Sequence, residues 1–362
     1  MNNCTNNALH VFLFWVILAG ASVGLSLGGY VENDIVGFIK PGGNILNADL
    51  IRSRLIIYKK VNSFLDVHLE PRYYYLFKSG DLNIAGATEI NKVIFDKYYA
   101  KLNFPLISIT AGKQRIAWGT GYIWNPTDIF NSYVLSFAVK DAEEANVEAV
   151  RAEIPIGQMG LFDGYVSTGN EWDKTQKGIR VKNNYDNFDC SLSFTESAET
   201  GGQYGFDVAG DLSGIGIRSE IAVKQGSCQF VLGGDYTFEN GLYLNLESFF
   251  DSSGSGSLEA YNWSDYFAGK IKHLGKNYIY LGLSKSINEI TQIKNSAIIN
   301  LNDLSFILYP QYSRNIMENL DLSLESLLTF GQRGSEFHPG TAIDPTGFLG
   351  SKMGLVRLIY SF

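Results

Sequence analysis

The chain has 362 residues, of which 45% are apolar, 14% aromatic and 18% charged, and its formal net charge is −8. Soluble proteins usually carry about 25% charged residues, and the acidic balance argues against a nucleic-acid partner, which would require a basic surface. Low charge, many aromatic residues and 38 glycines favour a β-barrel with a lipid-facing outside and a wet inside. A soluble β-rich periplasmic protein is the alternative that composition leaves open.

The N-terminus has the features of a secretory signal. Residues 11–18 form the one long apolar run, which is too short to span a bilayer. Ala19-Gly20-Ala21 follows it as a small-x-small cleavage site, although no Lys or Arg precedes the run. We expect residues 1–21 to be a signal peptide and residues 22–362 to form one barrel domain. A short buried N-terminal strand is the alternative.

The rest of the chain shows the period of two that is typical of β-strands. Leu65, Val67 and Leu69, for example, alternate with Asp66 and Glu70, so that the two sets point to opposite faces of a sheet. This pattern predicts strands at 30–40, 48–60, 63–78, 92–103, 105–117, 145–155, 158–168, 176–185, 188–197, 203–211, 214–224, 227–238, 242–251, 264–274, 277–287, 303–314, 319–331 and 350–362.

The connections between these strands alternate in length. The short ones are 61–62, 103–105, 155–158, 185–188, 211–214, 238–241, 273–277 and 315–318. The longer ones are 79–91, 118–144, 169–175, 252–263, 288–302 and 332–349. Short periplasmic turns and long extracellular loops are typical of transmembrane barrels. The sequence therefore predicts an all-β fold, a single closed antiparallel transmembrane barrel of about eighteen strands, with sixteen as the alternative.

The last strand is apolar on one face. Val356, Leu358, Tyr360 and Phe362 share that face, and Arg357 lies on the other. An apolar edge strand would promote aggregation in a soluble protein, whereas in a closed barrel it pairs with the first strand, near 30–40. The aromatic last position resembles the assembly signal of bacterial outer-membrane barrels. The resemblance implies that Tyr360 and Phe362 contact the barrel assembly machinery.

Residues 112–131 read GKQRIAWGTGYIWNPTDIFN and are the most motif-like part of the chain. A Gly-x-Gln element, a Trp-Gly pair and a Pro-x-Asp element resemble a segment of outer-membrane barrels in the porin and alginate-export-like superfamily. The matching residues are Gly112, Gln114, Arg115, Trp118, Gly119, Pro126 and Asp128. The resemblance implies an outer-membrane channel.

The motif leads into loop 118–144, the longest of the predicted loops. Pro126 and the two glycines favour turns, and Trp118, Tyr122 and Trp124 give the loop rigid apolar mass. We expect this loop to fold into the lumen and narrow it. An extracellular cap with no role in conduction is the alternative.

Strand alternation directs many charged side chains inward. The predicted pore-lining or constriction residues are Arg52, Arg54, Asp66, Glu70, Arg72, Lys97, Lys101, Arg115, Trp118, Asp128, Arg151, Glu153, Arg218, Glu220, Glu247, Asp321 and Glu325. Basic residues concentrate early in the chain and acidic ones later, which would set opposed walls across the pore and tune its selectivity. Mutual pairing inside a plugged barrel is the alternative.

Catalysis is not expected. His68, His273 and His338 remain after signal removal, with His273 at a predicted short turn. His338 lies in a long loop beside Glu336 and could join a site, but no Ser or Asp partner at informative spacing identifies one. Metal-ligand spacing is absent, so no metal or cofactor is expected. We expect a porin-like channel of the bacterial outer membrane for passive diffusion of small hydrophilic solutes, surrounded by lipid, with a homo-oligomer as one option. The alternative is a plugged structural or polysaccharide-binding barrel without conductance.

Overall fold

The computed structural model describes residues 24–40, 43, 45–79, 91–130, 146–167, 175–198, 201–344 and 350–362. The predicted signal peptide lies outside these residues. The strands are β1 (Leu25–Ile39), β2 (Ile45–Lys60), β3 (Leu65–Ser79), β4 (Asn91–Asn103), β5 (Ser108–Arg115), β6 (Asn146–Ile156), β7 (Gly160–Ser167), β8 (Gln176–Tyr185), β9 (Phe188–Ser197), β10 (Gly201–Leu212), β11 (Ile215–Lys224), β12 (Ser227–Thr237), β13 (Leu242–Asp251), β14 (Asn277–Asn288), β15 (Thr291–Asn300), β16 (Phe306–Met317), β17 (Leu320–Phe330) and β18 (Lys352–Ser361).

These strands form one closed antiparallel sheet. Each pairs with its neighbours in the chain, and β1 pairs with β18 as well as with β2. The closing register runs from Tyr30 opposite Ser361 to Ile39 opposite Lys352. Closure leaves no edge strand, so the backbone groups of the sheet are satisfied within it. The fold class, the choice of eighteen strands over sixteen and the pairing of the chain ends are confirmed.

The strand count is right although two predicted elements are wrong. Residues 264–274 are not a strand. They contain a short helix, α1 (Trp263–Phe267), at whose start the Asn262 side chain accepts a hydrogen bond from the Asp265 N–H. Conversely, the predicted loop 288–302 contains β15. The two errors cancel in the count, and they place His273 in a long loop, 252–276, rather than in a short turn.

The two ends of the barrel differ. At one end, here called the short-turn end, strands are joined by tight turns such as Ser213-Gly214 between β10 and β11. Both of these residues have positive φ, 55° and 85°, as hairpin turns of type I′ require. The other end, the long-loop end, carries the connections 252–276 and 331–351. No helix in the described residues is long and apolar enough to cross a membrane.

The two faces of the sheet alternate as the sequence predicts. In β18, Leu355 and Arg357 are buried at 2% exposure, whereas Val356, Leu358 and Tyr360 are 37–49% exposed. The same alternation places charged side chains inside the barrel and apolar side chains outside.

Candidate functional site

The most distinctive feature inside the barrel is the stretch after β5, residues 116–130, here called the inner segment. Trp124 is completely buried and stacks on Phe249 of β13, with ring centroids 5.2 Å apart and planes 7° from parallel. It also packs in one apolar cluster with Tyr278 of β14 and Ile298 of β15. The inner segment therefore lies against the inside of the wall. Residues 131–144 of the predicted loop lie outside the described residues.

Glu220 of β11 holds the first half of the inner segment through main-chain groups. Its carboxylate accepts hydrogen bonds from the N–H groups of Thr120 and Gly121. It also accepts from the Thr127 N–H at 3.2 Å and from the Thr127 hydroxyl at 2.9 Å. Hydrogen bonds to a charged acceptor are roughly twice as strong as neutral ones. This one buried carboxylate therefore joins both ends of the turn.

Glu247 of β13 holds the tip of the inner segment in the same way. Its two oxygens accept from three successive backbone N–H groups, those of Tyr122 at 2.5 Å, Ile123 at 2.8 Å and Trp124 at 3.0 Å. Three successive N–H groups directed at one anion form an anion-binding concavity of the main chain. The wall thus supplies two carboxylates, and the segment supplies the donors that they need when buried.

Glycine is required where the segment turns against these carboxylates. Gly119 has a φ of +98°, which L side chains rarely adopt. A Cβ at Gly119 would lie 2.7 Å from the Glu220 Oε1, and one at Gly121 would lie 1.8 Å from the carbonyl oxygen of Trp124. The Trp-Gly pair of the motif therefore gives the segment its close approach to the wall.

The base of the inner segment is held by other motif residues. The Trp118 indole N–H donates to Asp163 of β7 at 2.9 Å, and the Trp118 backbone N–H donates to Asp128 at 3.2 Å. Arg151 of β6 donates twice to Asp163, at 2.8 and 2.7 Å. Gln114 donates to backbone carbonyls, including that of Ala149 at 3.1 Å. Trp118 thus attaches the base of the segment to β7, while Gln114 joins β5 to β6.

A network of buried charges crosses the closing seam of the barrel. Arg357 of β18 contacts Glu32 and Asp34 of β1, at 2.8 and 2.7 Å, and Glu325 of β17 at 3.1 Å. Arg52 of β2 pairs with the same two β1 carboxylates. All five side chains are at most 6% exposed, so two arginines and three carboxylates are paired with one another inside the wall.

Further pairs occupy the walls next to this seam network. Glu70 contacts Arg54 at 2.8 Å through the arginine Nε, and also His68 and Lys97. The remaining pairs are Arg72 with Asp96, Lys101 and Arg151 with Glu153, Arg180 with Asp207, and Arg218 with Asp235. Most of the predicted pore-lining charges are therefore paired with charges of opposite sign.

Three predicted pore residues lie away from the centre of the lumen. Asp66 and Asp321 are near the short-turn end, where they accept hydrogen bonds from Asn103 at 2.8 Å and Asn315 at 3.2 Å. Arg115 is exposed and lies on the opposite face of β5 from the buried Gln114. Strand alternation therefore directs Arg115 outward. For the remaining predicted residues, the pore-lining role stays a prediction.

Several residues of the site are not among the predicted ones. Glu32, Asp34, Asp96, Asp163 and Asp207 complete the wall pairs, and each is at most 7% exposed. Strand parity could have identified Glu32 and Asp34, because both lie on one face of β1 opposite its apolar face. Within the described ranges, no group of three His, Cys, Asp or Glu side chains is arranged to hold a metal ion.

At the long-loop end, a buried carboxylate joins several loops into what we call the loop cap, residues 252–276, 301–305 and 331–344. Glu336 accepts hydrogen bonds from the Tyr278 hydroxyl and the Asn300 amide, both at 2.6 Å, and from the Leu274 N–H at 3.2 Å. Burial raises the pKa of the Glu336 carboxyl from 4.5 to about 7. Burial also lowers the pKa of the nearby His273 from 6.5 to about 4.

The raised pKa of Glu336 predicts a pH-dependent loop cap. The contribution of Glu336 to cap stability is fully present below about pH 4.5 and is lost as the pH rises through 7, a difference of about 3 kcal/mol. His273 acts in the opposite sense, because its contribution is present above about pH 6.5 and is lost as the pH falls through 4. In the wild type we expect cap protection to fall as the pH rises from 5 to 7, because Glu336 loses its proton. In Glu336→Gln this fall should disappear, and protection should instead rise with pH because of His273.

Hydrogen-exchange protection factors of residues 331–344 measure this effect, with amides of β8 as the internal reference. Identical pH trends in the wild type and in Glu336→Gln would show that Glu336 does not control the cap.

Comparison of the sequence with protein-family models and with curated proteins finds no match. Solved structures are similar in fold. OccK5 (OpdH) of Pseudomonas aeruginosa has a TM-score of 0.64 at 6% identity, over 94% of this chain and 98% of that chain. OccAB2 of Acinetobacter baumannii has a TM-score of 0.62 at 7% identity, over 93% and 98%. A triple mutant of the Rhodopseudomonas blastica porin has a TM-score of 0.51 at 11% identity, over 93% and 100%.

These likenesses define a class of fold. The chain is a closed eighteen-stranded antiparallel β-barrel that matches the structures of outer-membrane porins. At such low identity the likeness concerns the fold alone.

Proposed function

We propose that this chain is an outer-membrane channel for the passive diffusion of small hydrophilic solutes, narrowed by the inner segment. The observation that carries the proposal is the attachment of that segment to the inner wall by Glu220 and Glu247. A chain segment held against the inner wall reduces the cross-section of the lumen and leaves the rest of the lumen open. The porin fold of the solved structures described above supports the same function.

The outer surface supports a membrane location. Ile35, Val150, Leu232 and Leu246 lie on the outward faces of four different strands and are each 49–55% exposed. Soluble proteins rarely expose large apolar side chains on the same face of so many strands, whereas a lipid-facing barrel requires it. We therefore propose that the chain lies in the bacterial outer membrane, surrounded by lipid. The sequence pattern of residues 1–21 is the separate basis for proposing a cleaved signal peptide.

The C-terminal assembly signal belongs to the same proposal. Phe362 exchanges two backbone hydrogen bonds with Gly29, at 2.9 and 3.0 Å, while its side chain is 58% exposed. Tyr360 is 49% exposed on the outward face of β18. Both aromatic side chains are thus accessible for the barrel assembly machinery. We also propose that residues 112–128 place the chain with the porin and alginate-export-like barrels.

A second candidate is a plugged structural or polysaccharide-binding barrel. The observation that favours it is the seam network, whose Arg357, Asp34 and Glu325 side chains are each at most 2% exposed. Charges buried to this extent belong to a packed wall, and a plugged interior would extend such packing across the lumen.

Liposome swelling distinguishes the two candidates. For a channel we expect purified protein to admit small sugars, amino acids and organic anions at rates that fall steeply with solute size, because the inner segment limits the diameter. Vesicles that swell no faster than protein-free vesicles, from a preparation shown to be folded and inserted, would favour the plugged barrel.

A further inference from the structure

Lys294 is a lumen-facing cation whose surroundings differ from those of most cations on the inner wall. Nine inward-facing cations are each in a salt bridge with a carboxylate: Arg52, Arg54, Arg72, Lys97, Lys101, Arg151, Arg180, Arg218 and Arg357. Lys294, in the middle of β15, has no carboxylate partner among the described residues. Its charge is therefore directed at the lumen rather than neutralised in the wall.

Lys294 is placed against the tip of the inner segment. Its Nζ donates to the Tyr122 hydroxyl at 3.2 Å and lies 5.8 Å from the centre of the Tyr122 ring. The guanidinium of Arg218 lies 5.9 Å from the centre of the same ring. Tyr122 packs on Tyr280, with ring centroids 5.2 Å apart, yet remains 40% exposed. The Lys294 ammonium and the Tyr122 hydroxyl are thus held in place by the fold and are accessible from the lumen.

The side chains directly across from Lys294 on the two neighbouring strands are polar but uncharged. Its neighbours across the β14 and β15 pairing and the β15 and β16 pairing are Ser284 and Gln311. The wall carboxylates that hold the turn and tip of the inner segment are Glu220 and Glu247, which are 1% and 0% exposed and whose oxygens bind backbone N–H groups. A solute passing Tyr122 therefore meets the accessible Lys294 ammonium, whereas Glu220 and Glu247 are shielded. Asp235, whose side chain is 31% exposed, is paired with Arg218.

We propose that Lys294 and Tyr122 form an oxyanion-binding site at the constriction. This site would give the channel a preference for small anions that carry a carboxylate or phosphate group. The Lys294 ammonium has three N–H donors, of which one is directed at Tyr122. Because the Tyr122 hydroxyl accepts that bond, its own hydrogen is available for a second oxygen of the solute. Charged hydrogen bonds of this kind are stronger than neutral ones, so they favour an oxyanion over a neutral solute at this point. The inference rests on the proposed channel function.

Ion selectivity tests the role of Lys294. Reversal potentials are measured in a planar bilayer under a KCl gradient for the wild type, Lys294→Gln and Lys294→Glu. We expect the wild type to prefer chloride and the glutamine variant to lose about fivefold in the chloride-to-potassium permeability ratio, as expected for one unit charge about 4 Å away in water. The glutamate variant should prefer potassium. Lys285→Gln removes an equal charge from an exposed position on β14, outside the lumen, and should change nothing.

A conducting Lys294→Gln variant with unchanged selectivity would overturn the proposal. Absence of conductance in the wild type would instead reject the channel function itself, so the two failures are distinguishable.

Block by added oxyanions tests the role of Tyr122. Inorganic phosphate and acetate are added separately to the wild type and to Tyr122→Phe, which keeps the ring but removes the hydroxyl. We expect both anions to reduce the wild-type current and to do so less in the variant, with the chloride preference retained because Lys294 is unchanged. Equal block of both proteins would show that the Tyr122 hydroxyl does not bind the anion. Block by phosphate alone would show that the site binds phosphates and not carboxylates.

Discussion

Replacing Glu220 and Glu247 together by glutamine is expected to raise the single-channel conductance severalfold, because the inner segment then leaves the wall. The two carboxylates accept seven hydrogen bonds from the segment, six of them from backbone N–H groups. A hydrogen bond to a charged group contributes about 1.5–3 kcal/mol, and a buried donor left without an acceptor costs about 1–3 kcal/mol. A glutamine side chain offers one carbonyl oxygen where the carboxylate offers two, and its NH2 group repels the same donors. The segment should therefore move toward water.

The single variants separate the two attachments. Glu247→Gln frees the tip that carries Trp124, whereas Glu220→Gln loosens both ends of the turn, so each should give intermediate conductance and more frequent current fluctuation. Glu289→Gln, in the exposed short turn between β14 and β15, removes the same charge away from the segment and serves as the control. A double variant with wild-type conductance and a wild-type far-UV spectrum would show that these carboxylates do not hold the constriction.

Arg357→Met is expected to destabilise the barrel by about 3–5 kcal/mol, the usual effect of breaking a buried ion pair. Methionine keeps much of the volume of the side chain, so the loss is chiefly one of charge. Without Arg357, the carboxylates of Glu32, Asp34 and Glu325 face one another inside the seam, and Arg52 is the cation that remains beside the first two. Because the pair Asp34 and Arg357 lies directly across the β1 and β18 register, the closing strands should separate first.

Urea unfolding in detergent micelles measures this effect, since the free energy of unfolding falls linearly with denaturant. Arg314→Met, at an exposed position of β16, should leave stability within about 0.5 kcal/mol of the wild type. Adding Asp34→Leu to Arg357→Met should restore part of the loss, because it removes one unpaired buried charge. A loss in Arg357→Met no larger than that in Arg314→Met would mean that the seam network does not stabilise closure.

The sequence predicts strands well where one face is apolar. The bounds of β8, β9 and β13 agree with prediction to the residue, because most outward positions there are apolar, most inward positions are polar, and short turns or polar loops flank the strands. The sequence does not predict β15, because four of its residues are polar: Gln292, Lys294 and Ser296 on the inward face and Asn295 on the outward face. The inward ones among them face the lumen, and a period-two search that expects one apolar face reads this as a loop.

The site is predictable only in part. Parity correctly places Glu220 and Glu247 on the inward face, and the tryptophans and glycines of residues 118–124 predict a rigid turn that folds inward. The contact between them joins residues about a hundred positions apart in the chain. Such a contact depends on the diameter of the closed barrel, which strand alternation does not determine. For the same reason parity predicts charges in the lumen, but not that most of them neutralise one another.

Planar-bilayer recording of the purified wild-type protein tests the central claim most directly. The proposed function predicts discrete current steps of uniform size on insertion, smaller than those of the Glu220→Gln, Glu247→Gln double variant recorded in the same salt. Wild-type protein that is folded and inserted but gives no current step, while the double variant also gives none, would contradict the claim that the inner segment narrows an open channel.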